Sequence, residues 1–116
     1  MSEVVIYHNP RCSKSRQTLE LIREKGIDPE IVEYLKTPPS VDTLSDILKS
    51  LDMEPRDLMR RKESEYKELG LNDETLNREA LIKAMHDHPR LIERPIVING
   101  NKIALGRPPE NVLEIL

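Results

Sequence analysis

Within the first 35 residues, two short β-rich runs flank one amphipathic helix, and that order leaves few ways to build a sheet. Val4-Val5-Ile6-Tyr7 is an apolar run ended by Asn9-Pro10, so it reads as a buried strand followed by a turn. From Ser13 to Lys25, the apolar Leu19, Leu21 and Ile22 and the charged Arg16, Glu20, Arg23 and Glu24 fit a helix, and Gly26 supplies its stop. Glu30-Ile31-Val32-Glu33-Tyr34-Leu35 reads as the second strand, closed by Thr37-Pro38-Pro39. Strand, helix and strand in this order imply a parallel pair joined by a right-handed crossover.

The middle of the chain reads as helical. Ser40 caps a segment in which Val41, Leu44, Ile47, Leu48 and Leu51 recur at helical spacing. Pro55 suits the first turn of another helix carrying Arg56 to Lys62, and Gly70 breaks the segment that follows it. A further helix runs from its cap, Asn77, through Leu81, Ile82 and Met85 to a stop before Pro89. Ile96-Val97-Ile98 and Lys102-Ile103-Ala104-Leu105 flank Asn99-Gly100-Asn101, which predicts an antiparallel hairpin. Gly106-Arg107-Pro108-Pro109 leads to a last short helix from Glu110 to Leu116. The order βαβ, helices, ββα predicts an α/β fold, a mixed four-stranded sheet flanked by helices with a helical insert.

A chain of 116 residues suits one domain, here residues 1–116. With no Trp, no Phe and three Tyr, its core has to be aliphatic. A net charge of -3 without a block of like charge does not indicate nucleic-acid binding. The apolar runs are too short for a membrane span, and Met1-Ser2-Glu3 leads directly into a strand. The expectation is a soluble cytoplasmic protein. Its single cysteine, Cys12, cannot form an internal disulfide and suits a reducing compartment.

A free cysteine is more often a small buried hydrophobe than a reactive group. Cys12 has a different address. It stands at the turn from the first strand into the first helix, four residues after His8 and flanked by Arg11 and Arg16. A helix N-terminus and nearby cations favour the thiolate, which is the nucleophilic form. His8 could simply finish its strand with a local hydrogen bond, but its spacing from Cys12 makes it a candidate to support the thiolate. Arg94 and Arg107 each precede a proline in a connection, where an arginine is free to converge on a site. Arg23, Arg56, Arg78 and Arg90 read instead as solvated helix positions. His86 and His88 sit before Pro89 at a helix end, where the dipole explains them; no metal site and no bound cofactor are assigned.

His8-Asn9-Pro10-Arg11-Cys12-Ser13-Lys14-Ser15-Arg16, Glu68-Leu69-Gly70-Leu71, Glu93-Arg94-Pro95-Ile96-Val97 and Gly106-Arg107-Pro108 together resemble the glutaredoxin-dependent arsenate reductases, across essentially the whole chain. The similarity extends to the bacterial branch described as arsenate reductase-like. It implies a thioredoxin-like fold, Cys12 as nucleophile, His8 as the neighbour favouring its thiolate, and Ser15 as the group orienting it. It further implies Arg60, Arg94 and Arg107 as oxyanion-binding residues, Arg60 being chosen over Arg61 by the resemblance alone, and a cis Arg94-Pro95 bond. Where such reductases typically show Gly-Thr after the cysteine, this chain shows Ser13-Lys14.

The implied activity is reduction of arsenate to arsenite through a covalent adduct on Cys12. Ser15 occupies the place of a resolving thiol, so the reductants must be external: glutathione as co-substrate and glutaredoxin as partner. Two other functions compete with this one. A redox-linked regulator binding RNA polymerase would typically carry Cys-x-x-Cys, which Ser15 breaks. A glutathione-dependent thiol transferase would need Cys12 but give the arginines no work.

Overall fold

The computed structural model describes residues 3–116, and they fall into two compact units. One comprises residues 3–37 together with Arg94–Leu116; the other, Pro38–Glu93, is inserted between them in sequence.

The first unit is built on a four-stranded sheet of order β2-β1-β3-β4, from β1 (Val4–His8), β2 (Glu30–Glu33), β3 (Ile96–Asn99) and β4 (Lys102–Leu105). β1 pairs parallel with β2 and antiparallel with β3, which pairs antiparallel with β4. The mixed sheet is the one expected. Strand periodicity places Val4, Ile6 and His8 on one buried face of β1. Helix α1 (Ser13–Glu24) lays its buried stripe, Ser15, Thr18, Leu19 and Ile22, at the i, i+3, i+4, i+7 positions of one face. Val4, Ile6, Leu19, Ile22, Val97 and Val112 form the aliphatic core. Burying each such side chain contributes about 1.5–3 kcal/mol, so this cluster is the main support of the unit.

Two expectations in this unit need correction. β2 ends at Glu33, not Leu35, because Lys36 and Thr37 both return their N–H groups to the Glu33 carbonyl, at 2.9 and 3.0 Å, and turn the chain. The C-terminal element is a 3₁₀ helix, Pro109–Ile115, rather than an α-helix from Glu110. Its three-residue period lines up Val112 and Ile115, both of which pack into the core. The hairpin is as expected, with Asn99 paired to Lys102 across Gly100-Asn101. Gly100 takes φ +61°, whereas Asn101 keeps a negative φ, the backbone signature of a II′ turn.

The inserted unit is helical: α2 (Val41–Leu51), α3 (Ser64–Glu68) and α4 (Arg78–Asp87). The expected caps are present, Ser40 Oγ accepting from Thr43 N and Asn77 Oδ1 from Ala80 N. The helix expected over Arg56 to Lys62 is not. A 3₁₀ turn, Pro55–Leu58, stops at Met59, which is extended and forms an isolated β-bridge with Ile92. Met59 and Ile92 are both buried, so tertiary pairing outweighs local helix propensity here. Among the described residues, no helix is long and apolar enough to cross a membrane.

Candidate active site

The loop between β1 and α1 is a tight backbone turn. Asn9 accepts twice within it: its carbonyl from Cys12 N at 3.0 Å and its Oδ1 from Arg11 N at 3.0 Å. The turn leaves Cys12 as the N-cap of α1 with an extended backbone, half-buried, its carbonyl accepting from Arg16 N. An N-cap side chain faces the unpaired N–H groups of the first helical turn. For sulfur, that geometry favours the anion.

Burial is the largest single influence on Cys12 and pushes its pKa up. It is outweighed by the backbone N–H of Ser15, the charge of Arg94, the N–H of Lys14 and a hydrogen bond from the Arg94 side chain, so the net shift is downward.

His8 and Ser15 meet because each lies on the inward row of its element. Nδ1 of His8 is 2.6 Å from Ser15 Oγ, which also accepts from Asn9 N at 3.0 Å. Ser15 is fully buried and His8 only 6% exposed. Burial leads in lowering the pKa of His8; Glu33 opposes it, while Arg23 and Arg16 add to it, so the ring is held neutral. His8 is bonded to Ser15 and does not figure among the groups that stabilise the Cys12 thiolate. Ser15 acts on the sulfur through its backbone N–H, with its hydroxyl engaged by His8 and Asn9.

The hairpin brings the two arginines together. Ile96 pairs with Leu105, and the register carried two residues beyond sets Arg94 opposite Arg107. Gly106 N donates to Pro95 O at 2.9 Å, and Arg107 Nη1 reaches Arg94 O at 3.4 Å. Both Arg94-Pro95 and Arg107-Pro108 are cis; the first was expected, the second not. The clearance is small. A Cβ on Gly106 would lie 2.7 Å from both Pro95 Cγ and Thr18 Oγ1. Thr18, which sequence reasoning passed over, is fully buried and donates from Oγ1 to Lys14 O at 2.8 Å, tying the first turn of α1 in place.

Arg60 belongs to the helical unit, following the Met59 bridge rather than riding on a helix. Its backbone N–H donates to Leu91 O at 2.7 Å and its Nη1 pairs with Glu63 at 2.8 Å. Arg56 is no solvated helix residue: Nε and Nη2 donate to Leu71 O and Asp73 O at 3.0 and 2.7 Å. Arg90 pairs with Glu63 and Glu65. Among the described residues, no group of three His, Cys, Asp or Glu side chains is placed to hold a metal ion.

A thiol at the N-cap of the first helix and a strand entered through a cis proline, on a mixed β2-β1-β3-β4 sheet, define a single-cysteine protein of thioredoxin-like fold. The chain belongs to the ArsC family, whose model matches residues 7–115. It is 59% identical to the uncharacterized protein YfgD of Escherichia coli K12, over 98% of this chain and 97% of that one. It is 50% identical to an arsenate reductase of Neisseria meningitidis serogroup A, with both chains covered completely. The solved structure of an arsenate reductase from Vibrio cholerae superposes with a TM-score of 0.94 at 54% identity, covering 97% of each chain.

Proposed function

We propose that this protein is a monothiol arsenate reductase that draws its electrons from glutathione and glutaredoxin. The observation that carries the reading is the environment of Cys12: a thiol whose ionisation is favoured by two helix N–H groups and by Arg94. Membership of the ArsC family and the names of the relatives support it.

In the first step the Cys12 thiolate attacks the arsenic of dihydrogen arsenate. A sulfur–arsenic bond forms, an arsenic–oxygen bond breaks, and the oxygen leaves as water with both arsenate protons. Arsenic stays at oxidation state V. Arg94 and Arg107 are the donors assigned to the oxyanion; a guanidinium is planar, permanently charged and able to bind two oxygens at once. Fixed donors aimed at developing charge are the largest usual contribution to such a step.

Glutathione then attacks the Cys12 sulfur. The sulfur–sulfur bond forms, the sulfur–arsenic pair stays on arsenic, and arsenite of oxidation state III leaves with the glutathione proton. Two thiol sulfurs have been oxidised and one arsenic reduced. A glutaredoxin thiolate takes the glutathione from the mixed disulfide and returns Cys12. The external partners are required because Cys12 is the only cysteine of the chain.

The test is NADPH oxidation coupled through glutathione reductase, with arsenate, glutathione and glutaredoxin supplied. Turnover that vanishes in Cys12→Ser is expected. Normal turnover by Cys12→Ser, or none by the intact protein, would overturn the reading.

A further inference from the structure

A groove of 630 Å³ runs along one flank of α1, lined by His8, Pro10, Arg16, Leu19, Glu20, Arg23 and Glu24. Its volume lies within the range of about 300–1,000 Å³ typical of small-ligand sites. Arg16, Leu19, Glu20, Arg23 and Glu24 follow one another at i, i+3, i+4, i+7 and i+8, a single helical face. Surface charges at these spacings commonly pair, yet among the described residues Glu20, Arg23 and Glu24 form no ion pair with one another or with Arg16. Arg16 instead donates from Nη1 to Pro10 O at 3.0 Å, so one end of the groove abuts the loop that carries Cys12.

The floor carries a second observation. The nearly buried His8 ring has Nδ1 committed to Ser15, and among the described residues Nε2 makes no hydrogen bond while the ring lines the groove. Ser15 Oγ also accepts from Asn9 N, so the hydroxyl ties the ring to the loop and holds it in place. With Nδ1 engaged, Nε2 is the polar atom the ring has left, and the groove therefore holds a fixed hydrogen-bonding nitrogen close to the nucleophile's loop.

We propose that this groove seats the reducing thiol, a zwitterionic peptide thiol of the glutathione class, an inference that rests on the reductase reading above. The charges match. Such a tripeptide brings two carboxylates and one ammonium, and the groove offers two guanidiniums and two carboxylates. Arg16 and Arg23 take the carboxylates, Glu20 or Glu24 the ammonium, and His8 Nε2 hydrogen-bonds the peptide passing over it. The lengths match as well: eight residues of helix from Arg16 to Glu24 span about 12 Å, and an extended tripeptide about 10 Å. A simple neutral thiol would gain nothing from these groups.

The experiment pairs binding with kinetics. Titration of the intact protein with S-methylglutathione, which cannot react, is followed by amide NMR and is expected to shift His8, Leu19 and Arg23. In the coupled assay, Arg23→Glu is expected to raise KM for glutathione at least fivefold and leave KM for arsenate within twofold; with arsenite measured directly, the 2-mercaptoethanol-driven rate is expected to stay unchanged. Normal turnover with an unmoved glutathione KM in Arg23→Glu, or amide shifts confined to other surfaces, would overturn the groove assignment while leaving the reductase reading intact. Shifts in the groove without any arsenate turnover would uphold the assignment and remove the reductase reading alone.

Discussion

At the scale of single residues, the thiolate is decided by competition. Burial resists ionisation of Cys12 more than any single group promotes it, so the reactive state depends on several donors acting together. Arg94 enters twice, as charge and as hydrogen-bond donor. Arg94→Ala should therefore slow iodoacetamide alkylation of Cys12 near neutral pH and lower kcat/KM for arsenate by about 10²–10³, the usual cost of one oxyanion donor. Unchanged alkylation with reduced turnover would confine Arg94 to the oxyanion. His8 gives a pH signature of its own. Its pKa is lowered on folding, so its contribution to stability is complete above the ordinary value of 6.5 and is lost as pH falls through the folded-state value. Thermal melts between about pH 7 and pH 5 should show a falling Tm in the native chain and a flatter profile in His8→Gln. The depressed carboxyls of Glu65, Asp73 and Asp87 start from ordinary values of 4.5, 3.8 and 3.8 and so act in a lower window.

At the scale of elements, the site depends on how closely α1 approaches the β4 end of the hairpin. Gly106 permits that approach: a methyl group there would press on Pro95 and Thr18, each buried and neither able to swing away. Gly106→Ala should cost about 1–3 kcal/mol, the usual penalty of overpacking, read as a lower denaturant midpoint at unchanged m-value. A neutral substitution would show that the segment yields. The same elements show what the sequence could carry. The inward rows of β1 and α1 were readable from periodicity, and they are what bring His8 and Ser15 together. The pairing of Arg94 with Arg107 was also within reach, since a two-residue turn at Gly100-Asn101 fixes the register. The 3₁₀ turn at Pro55–Leu58 was not, because Met59 is drawn out of a helix by a partner 33 residues away, Ile92. Nor was the role of Arg56, whose acceptors are backbone carbonyls of a loop that only the folded chain brings near.

At the scale of the whole molecule, the question is whether the two compact units fold as one. Each is only about 60 residues long. A chain of that length buries about 60% of its unfolded surface and is marginal on its own, and neither unit has a disulfide or a tryptophan core to compensate. The sheet unit is moreover discontinuous, its strands β1 and β3 being separated in sequence by the entire helical insert. Losing the insert's order would lengthen the loop that β1–β3 pairing must close, at an entropic cost that grows with loop length. We therefore propose one cooperative domain. Native-state hydrogen exchange tests it through the slowest amides of each unit, such as Ile6 and Val97 in the sheet and Leu48 and Ile82 in the helices, all buried. One common opening free energy is expected for the four, equal to the global unfolding value from denaturant melts. A gap greater than about 1 kcal/mol between the two sets would mean that the helical unit opens separately, and that the sheet with Cys12 and the two arginines is stable without it.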